Sequence, residues 1–134
     1  MADRIDWTHA ESPSLDDLEL IARAEFRALP DRFRGLCGEV PFVVQDFPDE
    51  DVITEMDCET EFDILGLFQG PDMAARDNGS PEPTMIFLYR RPILDYWAEH
   101  QSTLGDIVRH VLVHEIGHHF GLSDTDMEKI ERGF

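Results

Sequence analysis

The sequence predicts an α+β fold in which a small mixed sheet of three or four strands packs against helices. Residues 15–29 and 103–120 carry apolar side chains at helical spacing. Residues 41–47, 62–68 and 84–89 are short apolar runs of the kind that form strands. With 134 residues in all, the chain has the length of one domain and can bury a substantial core.

The N-terminal part divides at Ser14. Residues 1–13 are polar and end in Ser-Pro, which predicts a flexible leader, so that residues 14–134 form the single domain. Ser14 is suited to cap a helix, and Asp16 and Asp17 place negative charge in its first turn. The apolar stripe of that helix is expected to face the core, and Pro30 is expected to end the helix or to start a short turn.

The middle of the chain alternates strands and connections. Pro48 and the acidic residues after it start a turn or a helix of one to two turns, and their spacing does not match a calcium loop. Residues 71–83 are rich in Gly, Pro, Asp and Asn, which predicts a connecting loop, with a lid over a binding site as the alternative. After the third strand, Arg90 and Arg91 either mark the strand end or hold a substrate carboxylate. A short helix follows over residues 93–100.

The most informative stretch is residues 114–124, which read HExxHxxGxxD. His114 and His118 lie about 6 Å apart along a helix and on one face, so both imidazoles can reach one ion. Glu115 is offset by roughly 100° and can reach a water on that ion. Gly121 permits the left-handed turn that ends a helix. The chain can then fold back and bring Asp124 up as an oxygen ligand.

This set of ligands predicts a catalytic site for one Zn²⁺ ion. Zinc binds imidazole nitrogen and carboxylate oxygen, and a catalytic site keeps three protein ligands and a water. The ion lowers the pKa of its water to about 7 and polarises the scissile carbonyl. Glu115 would accept the proton and pass it to the departing amine. The predicted reaction is therefore hydrolysis of a peptide bond in a peptide or protein substrate.

The chain resembles the minimal zincin-like metallopeptidases of bacteria. Its motif is also similar to that of the Asp-zincins. The resemblance rests on HEIGHHFGLSD and, upstream in the same order, on ILGLFQG at residues 64–70 and MIFLYRRPI at residues 85–93. It implies a minimal zincin-like fold, with the zinc helix packed across the sheet and an N-terminal helix beside it. It also implies that His114, His118 and Asp124 bind the metal, that Glu115 is the catalytic base, and that the third strand is the edge strand beside the zinc.

Several alternatives stay open. His110, Asp126 or Glu128 could assist the site or replace Asp124 as the third ligand. The zinc could be purely structural, or the chain could be a metal-binding or protein-interaction module with the zincin fold and little or no proteolytic activity. Tyr89 or Tyr96 could donate to an oxyanion, although a buried tyrosine more often serves the core.

The composition limits the classes of binding partner and indicates the cellular compartment. The formal net charge is −18, from 29 acidic and 11 basic residues, which argues against binding to nucleic acid or to an anionic membrane surface. The charged N-terminus lacks the apolar segment of a signal peptide, so a cytoplasmic location is expected. Cys37 and Cys58 have neither metal-ligand spacing nor the density of a disulfide framework, which predicts reduced thiols.

Overall fold

The computed structural model describes residues 5–70 and 84–133. Within these ranges it contains six helices and three strands, which confirms the predicted α+β class. The helices are α1 (Leu15–Arg27), α2 (Asp31–Cys37), α3 (Glu50–Glu55), α4 (Arg90–Glu99), α5 (Leu104–His119) and α6 (Asp124–Glu131). The strands are β1 (Phe42–Gln45), β2 (Gly66–Gln69) and β3 (Met85–Tyr89). The predicted loop over residues 71–83 lies outside the described residues.

The three strands form one mixed sheet in the order β1-β3-β2. β1 runs parallel to β3, with Phe42 opposite Ile86, and β2 runs antiparallel to β3, with Gly66 opposite Leu88. The prediction that the third strand lies at the edge is wrong, because β3 pairs on both sides. Its apolar run suits the centre of the sheet, where Ile86 and Leu88 are fully buried.

Helix α1 begins as the sequence predicts. The Ser14 hydroxyl accepts a hydrogen bond from Asp17 N–H, and the Asp17 carboxylate accepts one from Ser14 N–H. This reciprocal capping box satisfies two backbone donors that the start of a helix leaves free. The helix then packs against α5 and β1. Pro30 follows α1 and is the N-cap of the second helix α2. Its φ of −57°, which the proline ring restricts, is compatible with the start of a helix.

Arg90 joins the start of α4 to two distant parts of the chain. Its guanidinium donates to Pro13 O at 2.5 Å, to Ser12 Oγ at 2.9 Å and to Asp46 Oδ1 at 3.0 Å. The arginine is therefore engaged within the molecule rather than presented to a substrate carboxylate. Arg91 instead lies over the ring of Phe47, 5.6 Å from its centroid.

Helix α5 crosses the centre of the molecule and ends in the predicted left-handed turn. Thr103 caps its start by accepting a hydrogen bond from Asp106 N–H. At its end Gly121 has a φ of +76°, and Leu122 N–H donates to Gly117 O at 2.8 Å. The chain reverses there, and α6 packs back against α5. Among the residues that the structure describes, no helix is long and apolar enough to cross a membrane.

Candidate metal and catalytic site

Three histidines follow one another on successive turns of α5. The ring centroids of His110 and His114 lie 3.9 Å apart, and those of His114 and His118 lie 5.6 Å apart. Positions four residues apart share a helix face, which is why the predicted pair His114 and His118 lies side by side. His119 points elsewhere, with its ring 4.4 Å from that of Phe68.

A carboxylate from the end of α6 meets two of these histidines. The Oε1 atom of Glu131 lies 2.8 Å from His110 Nδ1 and 2.9 Å from His114 Nε2. The three donor atoms lie within 4.8 Å of one another, and no other group of three His, Cys, Asp or Glu side chains in the described residues is gathered so closely. Neither nitrogen has hydrogen-bond geometry toward this oxygen, so Glu131 Oε1 is buried without a hydrogen bond.

Sequence reasoning missed Glu131. The available signal was its position seven residues after Asp124, which places both on the same face of an eight-residue helix. That spacing becomes informative only when α6 is known to fold back along α5. The direction of the reversal follows from the Gly121 turn and the packing of α6, and the spacing of the motif alone does not reveal it.

The structure places the other predicted ligands apart from this group. His118 is exposed on the last turn of α5, and Asp124 is exposed at the first residue of α6. Among the described residues, the donor atoms that lie within 4.8 Å of one another do not include the set His114, His118 and Asp124. Their assignment as one ligand set stays a prediction. The alternatives Asp126 and Glu128 are also exposed on α6.

Burial shifts the pKa values of His114 and Glu115, which are neighbours in the motif, in opposite directions. It lowers the pKa of His114, and the charge of nearby His110 lowers it further, while the Glu131 carboxylate opposes both. The neutral imidazole that results is the form that binds metals. Burial raises the pKa of Glu115, opposed by the charge of His118. A raised pKa makes the Glu115 carboxylate a stronger base, which is the property that a general base needs.

Glu115 and His114 line one wall of a cleft of about 480 Å³. Residues 63–65, which lead into β2, and Tyr96 also line the cleft. Asp63 adds a carboxylate whose pKa is lowered by hydrogen bonds from the Thr60 side chain and from the backbone of residues 59 and 60. The cleft is thus acidic beside the histidines. A larger cavity of about 890 Å³ between α1, α2 and β1 contains none of the predicted site residues.

Tyr89 lies at the end of β3 and is completely buried. Its hydroxyl has no hydrogen-bond partner within the described part of the chain. Burial raises the pKa of Tyr89 to about 12, and the negative charges of Asp49 and Glu115 add to the effect. Tyr89 does not line the cleft, whereas the exposed Tyr96 does.

Comparison with known protein families gives a match over the part of the chain that contains the site. A family model described as zincin-like metallopeptidase matches residues 37–134. The matched region includes all three strands, the whole of α5 and α6, and the complete HExxHxxGxxD motif. No curated protein matches the chain.

Proposed function

The chain belongs to the zincin-like metallopeptidase family, and we propose that it hydrolyses peptide bonds with zinc bound in the cleft beside α5. The observation that carries the proposal is the position of Glu115. This half-buried carboxylate has a raised pKa and lies next to His114 on the wall of an open cleft. A general base for hydrolysis needs these properties together with access to a substrate.

The residues at this end of α5 fit a zinc ion. His114 and His118 offer neighbouring imidazoles on one helix face, and α6 offers carboxylates, which are the donor types that zinc prefers. In the proposed catalytic state His114, His118 and Asp124 hold one ion. When bound, zinc supplies Lewis acidity, which activates water and polarises a carbonyl group.

Glu115 is assigned the proton transfers. Its carboxylate accepts a proton from the attacking water and then donates it to the nitrogen of the departing amine. The raised pKa favours the first step, because a more basic carboxylate accepts the proton of the attacking water more readily. Desolvation also strengthens the interaction of Glu115 with charge that develops beside it.

The proposed substrate is a peptide or protein segment that lies in the cleft between residues 63–65 and α5. The lining includes the carboxylates of Asp63, Asp106, Glu115 and Glu131. Asp106 is paired with Arg109, whereas Asp63 is held in its charged form by hydrogen bonds. Together with the net charge of −18, this lining favours segments that carry Lys or Arg over acidic ones.

The variant Glu115→Gln tests the proposal. We expect it to bind as much zinc as the wild type and to lose about 10²- to 10⁴-fold in kcat, the usual contribution of a general base. The matched control is Glu99→Gln, which changes an exposed carboxylate at the end of α4 and should not alter the rate. Zinc content by elemental analysis and turnover of basic peptides are the two readouts.

Two results would contradict the proposal in different ways. Unchanged turnover in Glu115→Gln would remove the role given to that residue. A zinc-loaded wild type that cleaves none of a broad panel of peptides would favour the metal-binding module over the enzyme.

A further inference from the structure

We propose that His110, His114 and Glu131 form a second cation site, which shares His114 with the catalytic ligand set. The site lies one helical turn before the catalytic pair on α5 and is closed by the end of α6. It stands on contacts in the structure and holds whether or not the protein cleaves peptides.

The first support is the convergence of donor atoms. His110 Nδ1 and His114 Nε2 approach the same oxygen of Glu131 at 2.8 and 2.9 Å. The two rings lie 3.9 Å apart, so the nitrogens present a single small volume to an ion. The donor atoms of all three residues fit within 4.8 Å.

The second support is the state of the carboxylate. Glu131 Oε1 is buried and accepts no hydrogen bond, although two ring nitrogens lie beside it. A buried charged oxygen without a hydrogen bond is costly, and a cation bound at that oxygen would offset the cost. A cation bound beside Glu131 Oε1 would therefore give this oxygen the partner that it lacks among the described residues.

The chemistry of the set selects the class of cation. Two imidazoles and one carboxylate suit zinc and other divalent first-row metals, whereas calcium and magnesium prefer oxygen ligands. The His110 side chain is 56% exposed and lines the cleft, so an ion can enter from solvent. Three protein ligands leave at least one position for water.

Sharing His114 makes the two sites exclusive. The Nε2 atom has one lone pair and can bind one ion at a time. An ion held with His110 and Glu131 thus withdraws His114 from His118 and Asp124. The chain would carry one ion in either of two positions, and only one of these positions belongs to the proposed catalytic set.

Zinc titration of metal-free protein tests the second site directly. The double variant His118→Ala/Asp124→Ala removes two of the proposed catalytic ligands. We expect that it still binds one zinc ion, as measured by titration calorimetry. Adding Glu131→Gln, or separately His110→Ala, should then weaken the affinity by roughly tenfold or more. Adding Glu99→Gln, which changes an exposed carboxylate at the end of α4, is the control and should change nothing. Cobalt substitution should give an absorption spectrum that depends on Glu131 in the double variant.

The Glu131→Gln and His110→Ala variants distinguish loss of the cation site from unfolding of the protein. Gln replaces Glu131 without a change of shape, and His110 is largely exposed, so both proteins should show the circular dichroism of the double variant. Zinc binding by the double variant that Glu131→Gln and His110→Ala leave unchanged would overturn the proposal. Failure of the folded double variant to bind zinc would overturn it as well. Neither outcome depends on peptide hydrolysis.

Discussion

Met127 occupies the space in which a side chain on Gly117 would lie. A Cβ atom built on Gly117 would overlap Met127 Sδ and would come 2.8 Å from its Cγ. Met127 is completely buried, so its side chain has little room to move away. The absence of a side chain in the middle of the HExxH motif therefore allows α6 to pack closely on the turn that carries the predicted ligands.

We predict that Gly117→Ala destabilises the protein by about 1–2 kcal/mol. Alanine improves helix propensity by up to about 1 kcal/mol, but overpacking a filled core costs about 1–3 kcal/mol. Chemical denaturation measures the difference in the free energy of unfolding. The control is Gly35→Ala in α2, where a Cβ would meet nothing within 4 Å, and this change should stabilise by about 0.5–1 kcal/mol.

The same contact can be tested from its other side. In a Met127→Ala background the space is empty, so adding Gly117→Ala should no longer destabilise. Equal effects of Gly117→Ala in both backgrounds would contradict the assigned clash.

Tyr89 should ionise only in strongly alkaline solution. Its pKa is raised from 10.0 to about 12, chiefly because the side chain is buried. The fold thus favours the neutral phenol, so this contribution to stability is complete below pH 10 and is lost as the pH rises toward 12. Spectrophotometric titration should assign the late tyrosinate signal to Tyr89, since it disappears in Tyr89→Phe. A signal at the ordinary pKa from that residue would be inconsistent with its burial.

Removal of the Tyr89 hydroxyl should not weaken the fold. The buried hydroxyl has no hydrogen-bond partner among the described residues, so Tyr89→Phe removes an unsatisfied polar group. We expect between no change and a gain of about 2 kcal/mol in the free energy of unfolding. Tyr96→Phe, at an exposed position, is the control and should stay within about 0.5 kcal/mol of the wild type. A clear loss in Tyr89→Phe would reveal a bond to this hydroxyl.

The role of Asp124 can be isolated when the second cation site is disabled. In a Glu131→Gln background, Asp124→Ala should lower the zinc affinity by roughly tenfold or more, because it removes a proposed ligand. Asp126→Ala in the same background is the control, since that residue is also exposed on α6. Competition with a chromophoric chelator measures both. If the two variants hold zinc equally well, the third catalytic ligand lies elsewhere.

The acidic lining of the cleft predicts a preference for cationic substrates. Two peptides that differ only by Lys or Glu at one position should differ in kcat/KM on the order of tenfold at low ionic strength, with Lys favoured. Added salt should narrow the ratio, because it screens exposed charges such as Asp63. A Gln peptide should fall between them. A ratio that does not respond to salt would point to shape rather than charge.

The sequence predicted the parts of this protein that depend on local rules. The Ser14 cap, the Gly121 turn and the adjacent histidines of α5 each follow from spacing over a few residues. The central position of β3 did not, because a short apolar run does not reveal how many neighbours a strand has. Glu131 was missed for a similar reason, since its meeting with His110 depends on the path of the chain after the turn.

The helix hairpin from Leu104 to Glu131 contains every metal ligand proposed in either set. Few residues separate these ligands, so gathering them costs little loop-closure entropy once the turn has formed. Ion uptake would then be a local event that tightens the C-terminal quarter of the chain and leaves the sheet nearly unaffected. Amide hydrogen exchange should accordingly slow along α6 when zinc is added, while the strands exchange as before.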